Sequence, residues 1–125
     1  MAIENISIIK LRDLMLVTVP SEPDDETVAA LQKMILEAME RNESKGLVLD
    51  ISTVQTFDSF FARVVSETVQ MVALMGARTV VAGMRANVAA SAVQLGLRMG
   101  DSLTALDVDR AFALLNASLM GGRSS

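Results

Sequence analysis

Two short apolar runs constrain this chain more than anything else in it. Leu47-Val48-Leu49-Asp50-Ile51 and Thr79-Val80-Val81-Ala82 each follow a stretch with helical spacing. Runs of this kind have almost no polar side to offer water. As strands they must be covered on both faces, which is the condition inside a parallel sheet flanked by helices. Val28, Leu31, Ile35, Ala38 and Met39 recur at helical spacing before the first run. Glu22, Asp24, Asp25 and Glu26 precede them, acidic residues placed where the positive end of a helix dipole favours them. Gly46 reads as the stop of that helix.

Between the two runs, a second helix is expected from about Ser59 to Met75. Phe61, Val64, Val65, Thr68, Val72 and Met75 share one face, and Ser59, Arg63, Ser66, Glu67 and Gln70 lie on another. The second face is continuous and polar, so it should be wet. Gly76 ends the helix. Asn87 reads as the cap of a third helix carrying Val88, Ala92 and Leu95 and closed by Gly96. Leu103-Thr104-Ala105-Leu106 is a weak last strand, and Asp107 reads as the cap of a fourth helix with Val108, Phe112, Leu115 and Leu119.

Ahead of all this, residues 3–19 read as a hairpin broken at Arg12-Asp13 and stopped by Pro20 and Pro23. The expected order is ββαβαβαβα. It is an α/β fold, a central and mostly parallel sheet of about five strands with right-handed crossovers and four helices. At 125 residues the chain has the size of one domain. We expect residues 1–125 to form it, with a core over 3–119 and a flexible tail over 120–125.

Composition removes most chemistry. The chain has no Cys, His, Trp or Tyr, so disulfides, Cys/His metal sites, thiolate nucleophiles and imidazole bases are excluded. Its lysines are Lys10, Lys33 and Lys45, and no Gly-Lys pair is available for a phosphate-binding Walker loop. Asp24-Asp25 reads as a capping pair. Gly83-Met84-Arg85-Ala86-Asn87 reads as an ordinary strand-to-helix turn. The expectation is no enzyme, no metal and no cofactor. A net charge of −4 opposes binding to nucleic-acid phosphates. No uncharged stretch approaches the roughly 20 residues that span a bilayer. Met1-Ala2-Ile3-Glu4-Asn5 has neither the basic nor the apolar segment of a signal peptide. A cytoplasmic protein binding neither nucleic acid nor membrane is expected. Met71, Met75, Met84, Met99 and Met120 read as adaptable core filler. Leu95, Leu97 and Met99 form a candidate stripe for association.

The informative segment is Asp58-Ser59-Phe60-Phe61-Ala62-Arg63, which follows a buried strand and opens a helix. On local grounds Ser59 is a helix cap. It also shares a polar face with Arg63 and Glu67, a surface that a partner can grip. A phosphoryl group on Ser59 would sit at a helix N-terminus, which tolerates its charge, and Asp58 beside it would add repulsion toward an acidic partner.

With Asp58-Ser59 before a helix and Leu47-Val48-Leu49-Asp50-Ile51 ahead of it, the chain resembles the STAS domain of bacterial anti-sigma factor antagonists. The segment from Gly76 to Arg85 and Leu95-Gly96-Leu97 are similar to the family's strand and third helix. The resemblance runs from about Ile6 to Leu119. Phe60-Phe61-Ala62-Arg63 departs from the Ser/Thr-Gly-Leu that usually follows the Asp-Ser pair in simple antagonists. It is similar instead to the scaffold subgroup of the stressosome.

The resemblance implies a phosphorylation-gated binding module. Ser59 would be the phosphoryl acceptor, with Asp58, Phe60, Arg63 and Glu67 in the partner-binding surface. Implied partners are a switch kinase, sensor-domain STAS paralogues, a resetting phosphatase and further copies of the chain in a large oligomer. Direct binding of an anti-sigma factor is the alternative. Two others are weighed against it. A small α/β enzyme has little to work with here. A regulatory domain of a membrane transporter is set aside because both ends read as complete and no segment spans a bilayer. Whether Thr56 or Ser52 is a second acceptor stays open.

Overall fold

A computed structural model describes residues 6–95 and 103–121. Five strands and four helices follow in the order β1 (Ser7–Leu11), β2 (Leu14–Thr18), α1 (Asp25–Asn42), β3 (Gly46–Asp50), α2 (Ser59–Leu74), β4 (Arg78–Ala82), α3 (Ala86–Gln94), β5 (Leu103–Ala105) and α4 (Val108–Gly121). The sheet order is β1-β2-β3-β4-β5. β1 and β2 are antiparallel across the Arg12-Asp13 turn, with Leu11 opposite Leu14. The turn is tight enough to place Arg12 at φ 58°. The pairs β2–β3, β3–β4 and β4–β5 are all parallel.

Each strand steps one place along the sheet in the same direction. Crossovers of one hand then return every intervening helix to the same face. Met15, Val17, Leu47, Leu49 and Val81 point to that face. They pack with Val28, Leu31 and Ile35 of α1, Val65, Val69 and Val72 of α2, and Val88 and Ala92 of α3 in one buried cluster. The alternate residues Leu14, Val48, Val80 and Ala82 point to the opposite face, where they meet Ala111 and Leu115. Helix residues in that second cluster all come from α4. The strand-like runs of the sequence are therefore apolar throughout because β3 and β4 are roofed on both sides.

Several local expectations shift by a residue or more. Asp24 is the cap of α1, accepting from Thr27 N at 2.8 Å. α1 stops at Asn42, and Glu43 takes the left-handed turn at φ 51°. Gly46 is thus not a helix stop but the first residue of β3. A Cβ there would lie 2.8 Å from Leu14 Cδ2 and 3.2 Å from Leu115, so its lack of side chain lets the strand pass beneath α4. Asn87 does not cap α3. The capping position is Arg85, with no side-chain bond to the helix, and Asn87 falls inside it. Asp107 does cap α4, accepting from Arg110 N at 2.8 Å.

Among the methionines read as core, Met71 and Met75 are exposed, whereas Met84 is half-buried against the main core. Leu95 and Leu119 are exposed too. α4 continues to Gly121, two residues into the expected tail. Gly96, Leu97 and Met99 lie outside the described residues, as do positions 122–125 and the side chain of Met120.

Candidate functional site

The candidate site begins with a loop that has little freedom. After β3 the chain drops Ile51, Val54 and Phe57 into the core while Ser52, Thr53, Gln55 and Thr56 face water. Asp50 Oδ1 accepts from Ser52 N at 3.0 Å, and Thr53 Oγ1 donates to the Val19 carbonyl at 3.3 Å. Gln55 N donates to Ser21 O at 2.9 Å, and Ile51 N to Ala82 O at 3.0 Å. The loop after β3 is thereby bonded to the ends of both neighbouring strands. Gly83 holds it from the other side. At φ +80°, a Cβ there would stand 2.6 Å from Ser52 Cβ.

On that base α2 starts. Asp58 is its cap, with extended backbone and a carboxylate that accepts from Phe61 N at 2.9 Å. Its carbonyl accepts from Ala62 N at 2.9 Å. Ser59, expected as the cap, is instead the first helical residue. Two good capping residues stand side by side, and the helix uses the acidic one, whose charge also suits the dipole. This frees the Ser59 side chain from a structural duty, and Ser59 is exposed.

Below it, Phe61 is buried, with its ring 5.1 Å from that of Phe57 at a 42° tilt. This pair fixes the direction in which the helix leaves the loop. Val64, Val65, Thr68 and Val72 continue the buried face, and Thr68 returns its hydroxyl to Val64 O at 2.7 Å. Met75, expected on that face, is exposed beyond the end of the helix.

The opposite face carries Ser59, Arg63, Glu67 and Gln70, all exposed, with Ser66 half-buried. Phe60 is half-buried, its inner side against the main core. The Arg63 guanidinium lies 5.6 Å from the Phe60 ring centroid, inside the range of a cation–π contact. The structure thus puts Asp58, Ser59, Phe60 and Arg63 within the first two turns of one exposed helix end. Glu67 stands one further turn along. The resemblance names Phe60 for the partner-binding surface, but the residue pattern does not place it. Its spacing matches neither the buried nor the wet stripe, and its partner is the arginine three positions on.

Among the described residues, no group of three or more Asp, Glu, His or Cys is placed to hold a metal ion. No helix among them is long and apolar enough to cross a membrane.

Comparison with known proteins follows the same line. The profile described as the STAS domain matches residues 5–111. A serine-to-glutamate variant of RsbS from Moorella thermoacetica superposes with a TM-score of 0.85 at 26% identity, covering 94% of this chain and 99% of that one. A chain of the stressosome, described as a signal integration and transduction hub, gives 0.77 at 28% identity over 90% of this chain and 98% of that one. Unphosphorylated SpoIIAA, an anti-sigma factor antagonist, shares the fold at 0.75 and 13% identity, covering 90% of this chain and 97% of that one. Comparison with curated protein sequences gives no match.

Proposed function

The chain belongs to the STAS domain family, and on that footing we propose that it is a phosphorylation-gated regulatory scaffold of the stressosome type. Unmodified, it assembles with further copies and with sensor-domain paralogues in the cytoplasm and retains a switch serine/threonine kinase. The kinase transfers the γ-phosphoryl group of ATP to Ser59. The Oγ–P bond forms, the bond to ADP breaks, and the hydroxyl proton passes to a base on the kinase. The modified scaffold then releases the kinase, and a phosphatase restores the hydroxyl.

The observation that carries this reading is the division of labour at the start of α2. Asp58 holds the helix, and the exposed Ser59 hydroxyl has no part in the cap. Charge can therefore be added there without unfolding anything. A phosphate brings about −1.5 to −2 charges to a surface whose partner was chosen for a neutral hydroxyl, and burying it in an interface is costly. The likeness to RsbS and to a stressosome chain at 26% and 28% identity favours the scaffold over the simple antagonist. Leu74, Val93 and Leu106, exposed at 88%, 80% and 76%, offer apolar surface for self-association.

Direct binding of an anti-sigma factor is the second reading, favoured by the fold shared with SpoIIAA. Pull-down with the cognate kinase and with an anti-sigma factor separates the two. Retention of the kinase by wild type and its loss with Ser59→Asp supports the scaffold. Retention of the anti-sigma factor alone overturns it.

A further inference from the structure

We propose that phosphorylation of Ser59 works on this surface through Arg63, drawing the guanidinium off the Phe60 ring and onto the phosphate. The inference rests on Ser59 as the acceptor and says how the new charge is passed on. Ser59 and Arg63 are four positions apart on α2 and share its exposed face. Side chains at that spacing meet, and an anion one turn ahead of a cation is the favourable order.

In the unmodified chain Arg63 lies over the ring, 5.6 Å from its centroid, and among the described residues it has no ion pair. The carboxylates nearby do not compete well for it. Asp58, whose Oδ1 accepts from Phe61 N at 2.9 Å, stands five positions before Arg63, off the spacing at which helix side chains pair, and Glu67 follows Arg63 by one turn, the weaker order for such a pair. Among the described residues the ion pair present is Arg110–Asp107, at the start of α4.

A phosphate changes this balance. Its charge is nearly twice that of a carboxylate, and its oxygens match the guanidinium fork. Arg63 then exchanges one weak contact for a strong one. Two surface features change together. Phe60 loses its cationic cover, and part of the phosphate charge is neutralised within the chain. A partner that reads the guanidinium stacked on the Phe60 ring loses that arrangement, although the backbone of α2, fixed by Asp58 and Phe61, stays where it was. Arg63 is thus a positioning residue for the switch.

Installing phosphoserine at position 59 during translation tests this whether or not any kinase modifies Ser59. Phosphorus NMR follows the second proton of the phosphate, and proton–nitrogen NMR follows the Arg63 Nε–H. We expect the Arg63→Gln variant to hold that proton about threefold more tightly than the chain with Arg63 intact, the size of an exposed ion pair. Arg63→Lys should fall between them, and the Arg63 Nε–H resonance should move on modification. Identical titration with and without Arg63, together with an unmoved Nε–H, overturns the proposal. Failure of the cognate kinase to label Ser59 would instead remove the reading beneath it and leave this measurement standing.

Discussion

Asp58 and Ser59 differ by one position and one hydrogen bond. The Asp58 carboxylate binds Phe61 N at 2.9 Å, so Asp58→Ala should cost about 1 kcal/mol in a denaturant titration. Ser59→Ala, at an exposed first-turn position, should stay within about 0.5 kcal/mol of wild type. On local sequence grounds Ser59 is the cap, although an Asp side chain accepts from the first turn equally well. Only the backbone angles decide between them, and the same slip misplaced Asn87 relative to Arg85. Asp24 carries a pH-dependent counterpart. Hydrogen bonding by the Thr27 side chain, then by its backbone N–H, holds the Asp24 carboxyl below the ordinary 3.8. The fold therefore favours the ionised form. Its stabilisation is complete above the unfolded value, about pH 4, and disappears as pH falls through the lower folded value. Asn caps without titrating. Melting temperatures taken from about pH 5 down to pH 2 should therefore fall less steeply for Asp24→Asn than for wild type.

Elements differ in how openly they were written. α2 was legible over almost its whole length because Phe61, Val64, Val65, Thr68 and Val72 repeat at the helical period and are all buried. β5 was faint because an edge strand of three residues needs little apolar pattern. The close approaches were hidden, since a glycine between strand and helix reads as punctuation whether it turns the chain or makes room for a neighbour. Gly76 and Gly83 separate the two uses. Both have positive φ, at +90° and +80°, but a Cβ on Gly76 meets nothing within 4 Å, while one on Gly83 strikes Ser52. Gly76→Ala should cost about 1 kcal/mol, the left-handed penalty alone. Gly83→Ala should cost at least about 2 kcal/mol and disturb the loop beneath Ser59, visible as shifted amide resonances from Ser52 to Ser59. α4 supplies the contrasting case. Leu115 is fully buried in the smaller cluster. Leu115→Ala should cost about 2–5 kcal/mol, with hydrogen-exchange protection lost first in α4 and kept in α2.

Across the whole molecule, the parallel sheet explains why the proposed site has a firm base. The loops after β2, β3 and β4 gather at one end, and the loop after β3 bonds to the loop after β2 through Gln55 to Ser21 and to the last residue of β4 through Ile51 to Ala82. That end is held by these backbone bonds together with the Thr53 hydroxyl and the Asp58 carboxylate, while Ser59 stays exposed. Fold class and element order were readable from the doubly covered runs, and the family from Asp58-Ser59 between them. The Arg63–Phe60 contact was not, because it depends on a rotamer rather than a spacing. Arg63→Glu should therefore weaken partner capture at least tenfold, a 1.4 kcal/mol effect, while shifting the melting temperature little. Equal losses of binding and stability would place Arg63 in the fold instead.

The most direct test is peptide mass spectrometry of wild type and Ser59→Ala after incubation with the cognate kinase and ATP. We predict a single phosphate on the peptide beginning α2 in wild type, and none on a Ser59→Ala protein whose circular dichroism is unchanged. Full labelling of folded Ser59→Ala would contradict the account.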